Sequence, residues 1–374
     1  MKLRLALIIA LTVAANFGCG SGSPRVPQVS RLVVTSQGQF DSTGPSVAVF
    51  DMDLNDVRTV RLNTAPNSLR ADPRTSINYL GSSVGLTAVD IRNGSVRQLS
   101  SRPEWVLSVS PDSRWIATST GVLRSNGATF HAWGSGAGQA LFSPDSSKVT
   151  LVEGSSVVIT RLSDFTSSTI AMAPNTEAYV SAISRSGDYL AVATDGWNGG
   201  IVEFYRTCDN AHIASAPAYL SALTSSQVSD TFFGIGRGNA YSFSFPAQSS
   251  CSGSVQPTIT SVPLLLPSVN ITGFGAYPNQ EKAIVLGVSD LGAGFSFAIY
   301  DSTAATTKMF WIESHSPDQL VAPFSGSFDC VFDQDGKYVY ISSFDGIHKL
   351  NAETLTESAS RKLTYTPHLL EFSR

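Results

Sequence analysis

Apolar and polar residues alternate along most of this chain in short runs separated by turn-forming residues, and one run recurs. Ser108 to Thr120, SVSPDSRWIATST, returns as LFSPDSSKVTLV from Leu141, AISRSGDYLAVAT from Ala182 and VFDQDGKYVYISS from Val331. A period of two on either side of a polar turn of Pro, Asp, Ser or Gly predicts a β-hairpin in each copy. A single hairpin is marginal in water, so a chain made of hairpins must stack its copies to bury their faces.

Taken in order, the first repeat predicts three strands, at Arg31 to Thr35, Ser46 to Asp51 and Val57 to Leu62. The second predicts four: Asn67 to Asp72, Ser76 to Gly81, Gly85 to Asp90 and, after an Arg92-Asn93-Gly94 turn, Ser95 to Leu99. Further units run from Trp105 to Trp133, Gln139 to Ala173 and Tyr179 to Ala216. Longer ones start near Leu220 and Ile271, with extra residues at Gln248 to Pro267 and Ser302 to Pro323 that are expected to project from one face. The eighth predicts strands from Phe328, over Lys337 to Ser342, Gly346 to Leu350 and Lys362 to Tyr365.

Equivalent turn positions at Pro73, Pro111, Pro144, Arg185, Ser225, Pro278 and Asp333 are spaced by 38, 33, 41, 40, 53 and 55 residues. That is the range of four-stranded propeller blades. The tail, His368 to Phe372, is an alternating segment with no unit of its own, while the first unit is one strand short. Pairing the two closes a ring and removes the exposed sheet edges of an open array. The expected fold is therefore an all-β propeller over residues 30–374, with eight four-stranded blades (seven being the alternative) closed by its N- and C-terminal strands.

The turns Ser110-Pro111-Asp112, Ser143-Pro144-Asp145 and Asp335-Gly336-Lys337, each followed by an alternating strand, resemble the TolB-like and WD-like propeller repeats of bacterial envelope proteins. The resemblance covers most of residues 67–374. The histidine and terminal Trp-Asp of the strict WD class are absent. The resemblance implies a fold rather than a task, since such propellers carry many unrelated activities.

Residues 1–18 read as a secretory signal: Lys2 and Arg4 precede an apolar core, Leu5 to Ala15, too short to span a bilayer. Asn16-Phe17-Gly18-Cys19 resembles a bacterial lipobox, which implies that Cys19 is lipidated and becomes the new N-terminus. Cleavage after Ala15 is the alternative. Residues 19–29, rich in Gly, Ser and Pro, read as a flexible tether. Gly20, where an Asp would imply inner-membrane retention, points to an outer-membrane lipoprotein.

The full chain carries 25 basic and 29 acidic residues, and loss of Lys2 and Arg4 takes the formal charge from −4 to near −6. A mildly acidic body without a Lys/Arg cluster argues against nucleic acid as a partner. Beyond Cys19 the cysteines are Cys208, Cys251 and Cys330. Cys208 and Cys251, in polar loops, can pair across one repeat in an oxidising compartment. Three thiols are the alternative. Cys330, in an alternating strand, reads as a small buried hydrophobe.

Gly81-Ser82-Ser83-Val84-Gly85 matches the esterase nucleophile elbow, but the elbow needs a following helix and Leu86 to Asp90 predicts a strand. Gly234-Ile235-Gly236-Arg237-Gly238 lacks the spacing of a nucleotide loop and reads as a turn. Asp51 to Asp56 has alternate oxygens like a calcium loop, but Asp56 stands where Gly is needed and Leu62 where the bidentate Glu belongs. The histidines, His131, His212, His315, His348 and His368, are scattered, and no metal spacing is evident. Trp105 and Trp115 read as core between blades. Trp197, on the Gly-rich loop Asp195 to Gly200, reads as an exposed contact residue.

These readings predict a non-enzymatic, cofactor-free binding or scaffold module, held at the membrane by its N-terminal lipid and docking an envelope protein or glycan. The alternative is a propeller enzyme, such as a metal-dependent lactonase or hydrolase, with acidic and histidine residues gathered at the axis.

Overall fold

The computed structural model describes residues 30–36, 44–133, 138–172, 176–196, 199–247, 251, 255–264, 269–289, 294–313, 330–343, 346–363 and 367–373. The signal, the tether, Cys19, Trp197 and His315 lie outside them.

Eight four-stranded antiparallel sheets form a ring. Blades 2 to 8 occupy residues 66–100, 106–132, 139–171, 176–217, 222–263, 269–313 and 330–362, each with its strands in chain order from the axis outwards. Blade 1 takes Arg31–Ser36, Ser46–Phe50 and Asp56–Arg61 as its outer three strands and the C-terminal Pro367–Ser373 as its innermost. Leu32 pairs with Phe372 and Val34 with Leu370, so the two ends of the chain close the ring as the orphan tail predicted.

The alternation that predicted the strands has its cause in the burial. Second and third strands of each blade are covered on both faces by neighbouring blades, so Leu32, Val34, Phe50, Tyr189, Val192, Phe232 and Tyr340 are almost wholly buried. Burying a side chain of that size contributes roughly 1.5–3 kcal/mol. Outermost strands are different. Thr258–Pro263 is largely exposed and Glu357–Lys362 is exposed at every position but one, so their sequences carry little apolar signal. Hence two corrections: the stretch Gln248 to Pro267 contains the outermost strand of blade 6, and the last strand of blade 8 ends at Lys362 rather than starting there. Ser302 to Pro323 likewise contains the whole outermost strand of blade 7, Thr306–Glu313.

Because strands alternate in direction, the links between blades and the second-to-third hairpins lie at one end of the ring, here the upper face. First-to-second turns lie at the lower face. The repeated turn occurs there seven times, and in each the first residue donates its N–H to the carbonyl five residues on: Asp72 to Ile77, Ser110 to Trp115, Ser143 to Lys148, Ser184 to Tyr189, Ser226 to Thr231, Tyr277 to Lys282 and Asp333 to Tyr338. This register makes Gln227 and Gln334, rather than Ser225 and Asp333, the equivalents of Pro73. Those two turns, like the one at Arg185, lack the proline that marks the phase at Pro73, Pro111, Pro144 and Pro278.

Polar residues of these turns tie blade to blade. The Ser113 hydroxyl donates to Asp72 Oδ1 at 2.6 Å, the Asp112 N–H to Ser146 Oγ at 3.0 Å and the Ser186 N–H to Asp230 Oδ1 at 2.8 Å. Ser226 donates to Glu281 Oε1 at 3.1 Å and Asn279 Nδ2 to the Asp335 carbonyl at 2.6 Å. The motif that dominates the sequence is therefore a belt around the lower face. At the closing seam, blade 8 meets blade 1 through ion pairs. Lys349 Nζ, on a side chain 9% exposed, lies 3.0 Å from Asp53 Oδ1, and Arg361 pairs with Asp56. Among the described ion pairs, these are the ones that join two blades.

Cys208 and Cys251 form a disulfide with Cα atoms 6.2 Å apart, fastening the loop before the outermost strand of blade 6 to blade 5. Cys330 is half-buried against the cluster around Tyr277 and Ile284.

Candidate functional site

The sequence motifs with a catalytic look are turns. Ser83 and Val84 link the strands Ile77–Ser82 and Gly85–Asp90, with no helix following. Asp51 Oδ1 accepts hydrogen bonds from the N–H groups of Asp53 and Asn55, closing the loop on itself. His131 stacks on Phe165 with ring centroids 5.5 Å apart, His212 Nε2 lies 2.9 Å from Ser215 Oγ, and His348 Nδ1 lies 2.7 Å from Glu357 Oε2. Among the described residues no group of three or more His, Cys, Asp and Glu side chains is placed to hold a metal ion.

Near the axis, polar side chains of the innermost strands bind the next blade. Ser68 Oγ accepts the Val106 N–H at 2.7 Å, and Arg70 donates to the Leu107 carbonyl of blade 3 at 3.1 Å while also donating to the Leu69 carbonyl of its own strand at 2.8 Å. Gln139 Oε1 accepts the Ser181 N–H at 2.7 Å while its Nε2 donates to the Ser181 carbonyl at 3.0 Å.

The upper face is built otherwise. At the junction of blades 5 and 6, the link 218–221 is pressed into a seat shaped by glycines. A Cβ added to Gly236 would stand 1.7 Å from the Tyr219 carbonyl oxygen, one on Gly200 2.6 Å from Tyr219 Cα, and one on Gly234 2.6 Å from Leu220 Cδ1. Leu220 and Ala218 are buried there, and the half-buried Tyr219 side chain is left at the surface. Its ring lies beside Tyr179, centroids 6.5 Å apart and planes 36° apart. Tyr179 is 38% exposed and its hydroxyl donates to the Leu220 carbonyl, which fixes the ring.

Over Tyr219 lies the Arg237 guanidinium, its carbon 4.5 Å from the ring centroid. Arg237 and Gly238 form a two-residue hairpin turn with φ of 46° and 75°, a type I′ turn, for which Asn-Gly is the easy choice. A left-handed arginine costs about 1 kcal/mol. What sets it apart from other left-handed turn residues, such as Leu54, Ser113 and Phe165, is the exposed cation stacked on a tyrosine. The glycine-rich stretch read as a plain turn thus seats Tyr219 through Gly234 and Gly236 and presents Arg237. Ile201, 37% exposed, borders the same place, as does the Gly200 that follows the Trp197 loop.

A second exposed aromatic stands between blades 2 and 3. Trp105, expected in the core, is 56% exposed beside the innermost strand of blade 3. The residue before it fills the interior instead: Glu104 is buried, with Oε1 accepting from Ser100 Oγ at 2.8 Å. Trp115 packs edge-on against Phe165, between blades as expected. Strand alternation alone could not separate the two tryptophans, because the strand starts at Val106, just after Trp105.

No protein-family model matches the sequence, and no curated protein does. Among solved structures the chain is similar to the dihydro-heme d1 dehydrogenase NirN in complex with DHE, at 15% identity and TM-score 0.64, over 91% of this chain and 74% of that one. It is similar to apo AztD from Citrobacter koseri at 13% identity and TM-score 0.62, over 92% and 98% of the two chains. A putative 6-phosphogluconolactonase from Bacteroides fragilis aligns at 11% identity and TM-score 0.57, over 93% and 99%. At such identities the likeness is one of fold: the chain is an eight-bladed β-propeller.

Proposed function

We propose that this chain is a non-enzymatic binding module of the bacterial envelope, anchored to the outer membrane through lipid on Cys19 and docking its partner, an envelope protein or glycan, on the upper face. The observation that carries the reading is the Tyr179–Tyr219–Arg237 platform. Its Tyr179 ring and Arg237 guanidinium are exposed and rigidly seated, whereas the polar residues of the lower turns and the innermost strands described above are engaged in holding blades together. Rigid exposed aromatics and arginine are what binding sites favour. An axial metal-dependent hydrolase would instead need donors converging on the channel.

Two experiments test this. A photo-crosslinking residue placed at Ile201 or Trp105 should capture a specific partner in the producing cells, and one at Val57 or Val96, exposed on outermost strands, should not. Equal yields from both sets would remove the upper face as the docking surface. Cys19→Ser should move the protein from the membrane to the soluble fraction; persistence in the membrane fraction would remove the lipid anchor.

A further inference from the structure

Resting on the upper face as the binding surface, we infer that the Tyr179–Tyr219–Arg237 platform takes a carboxylate-bearing sugar of an acidic polysaccharide. The argument starts from Arg237. Its guanidinium is held over the Tyr219 ring, and no ion pair to it occurs among the described residues. A planar fork of donors held ready on a rigid scaffold suits a carboxylate, which it can bind through two parallel hydrogen bonds.

The tyrosines supply the other half. Beside the half-buried Tyr219, which carries Arg237, the 38% exposed Tyr179 ring offers a flat apolar face to the C–H bonds of a pyranose. The Tyr179 hydroxyl is occupied by the Leu220 carbonyl, so what the residue presents outward is its ring.

A protein partner fits less well. Stable protein interfaces need on the order of 800 Å² per side with a continuous apolar centre. On this face the described large apolar side chains that are exposed stand apart: Ile201 and Tyr179 on blade 5, Trp105 and Val84 on blades 2 and 3. A small site of flat rings with few polar groups is ligand-sized.

Backbone strain provides the sharpest test. Arg237→Asn gives the type I′ turn its preferred residue, so a position that matters only for the turn gains or keeps stability and nothing else changes. If Arg237 is held there to bind, the same variant keeps or raises its melting temperature and loses affinity. The measurement is calorimetric titration of the full-length protein with oligogalacturonate, cello-oligosaccharide, hexaglutamate and dextran sulfate at fixed ionic strength. Oligogalacturonate should bind, the neutral oligomer at least tenfold more weakly, and Arg237→Asn and Tyr219→Ala should each weaken oligogalacturonate at least tenfold, with circular dichroism confirming that the fold persists.

Binding of hexaglutamate in preference to oligogalacturonate would overturn the inference in favour of an acidic peptide. Equal binding of dextran sulfate would reduce it to polyanion attraction. An unchanged affinity in Arg237→Asn would move any uronate site elsewhere. Should oligogalacturonate fail while the Ile201 crosslink persists and is lost in Arg237→Asn, the platform binds but its ligand is not a sugar acid. Loss of site preference among the crosslinks would overturn the binding face itself.

Discussion

A chain ending at residue 366 loses cooperative folding. Residues 367–373 are the innermost strand of blade 1, and removing them strips the ladder from Arg31–Ser36 and opens the ring at its one covalent gap. The truncation also removes Leu370, 1% exposed, the Phe372 ring set edge-on to Tyr340 at 5.2 Å, and Ser373, whose hydroxyl accepts from Asn78 Nδ2 at 2.9 Å in blade 2. Two apolar side chains at roughly 1.5–3 kcal/mol each, with their cavities and the lost ladder, approach the whole stability of about 5–15 kcal/mol of a typical domain. Limited proteolysis and thermal melting check it: the truncated chain should be cleaved throughout and show no sharp transition. Leu370→Ala, which keeps the strand, should cost about 2–5 kcal/mol. A truncated chain that melts at the wild-type temperature would disprove closure by this strand.

Breaking the Cys208–Cys251 disulfide should be the next largest loss. The cystine spans 43 residues, and the entropy of closing such a loop in the unfolded chain corresponds to about 4 kcal/mol. Its blade 5 end is firmly held. The Thr207 N–H donates to the Asp188 carbonyl, and Arg206, its side chain 9% exposed, hydrogen-bonds Asp209 at 2.6 Å and holds that carboxyl down to about 2. Cys251→Ser, or reduction of the wild type, should therefore lower the denaturant midpoint markedly. Hydrogen exchange should show the loss first around residues 255–264, whose tether to blade 5 is gone. Reduction should have no effect on the Cys208→Ser/Cys251→Ser double variant. A midpoint unchanged by reduction would mean that the bond does not constrain the unfolded chain.

Much of the architecture could be read in advance because its causes are local. A period of two and a turn signature are properties of neighbouring residues, and strands covered on both faces display them most strongly. The eight-bladed ring with its closing strand, the hairpin turns at Ser83 and at Arg237, and the interior place of Trp115 all came from such signals. Where local signal faded, the reading slipped. Thr258–Pro263 and Glu357–Lys362, outermost and exposed, have no apolar alternation to betray them.

The candidate site was not legible, and the reason is distance along the chain. Tyr179 and the Leu220 carbonyl that fixes it are 41 residues apart, and Arg237 reaches Tyr219 from a third segment. The sequence by itself determined most of the strands and the way the ring closes, and favoured eight blades over seven, since alternation and turn chemistry repeat from unit to unit. Only the tertiary structure decided what the repeated turn is for, which tryptophan faces solvent and which residues share the upper face. Those outcomes depend on contacts between successive blades, where side chains remote in sequence meet, and no periodicity within one blade encodes them.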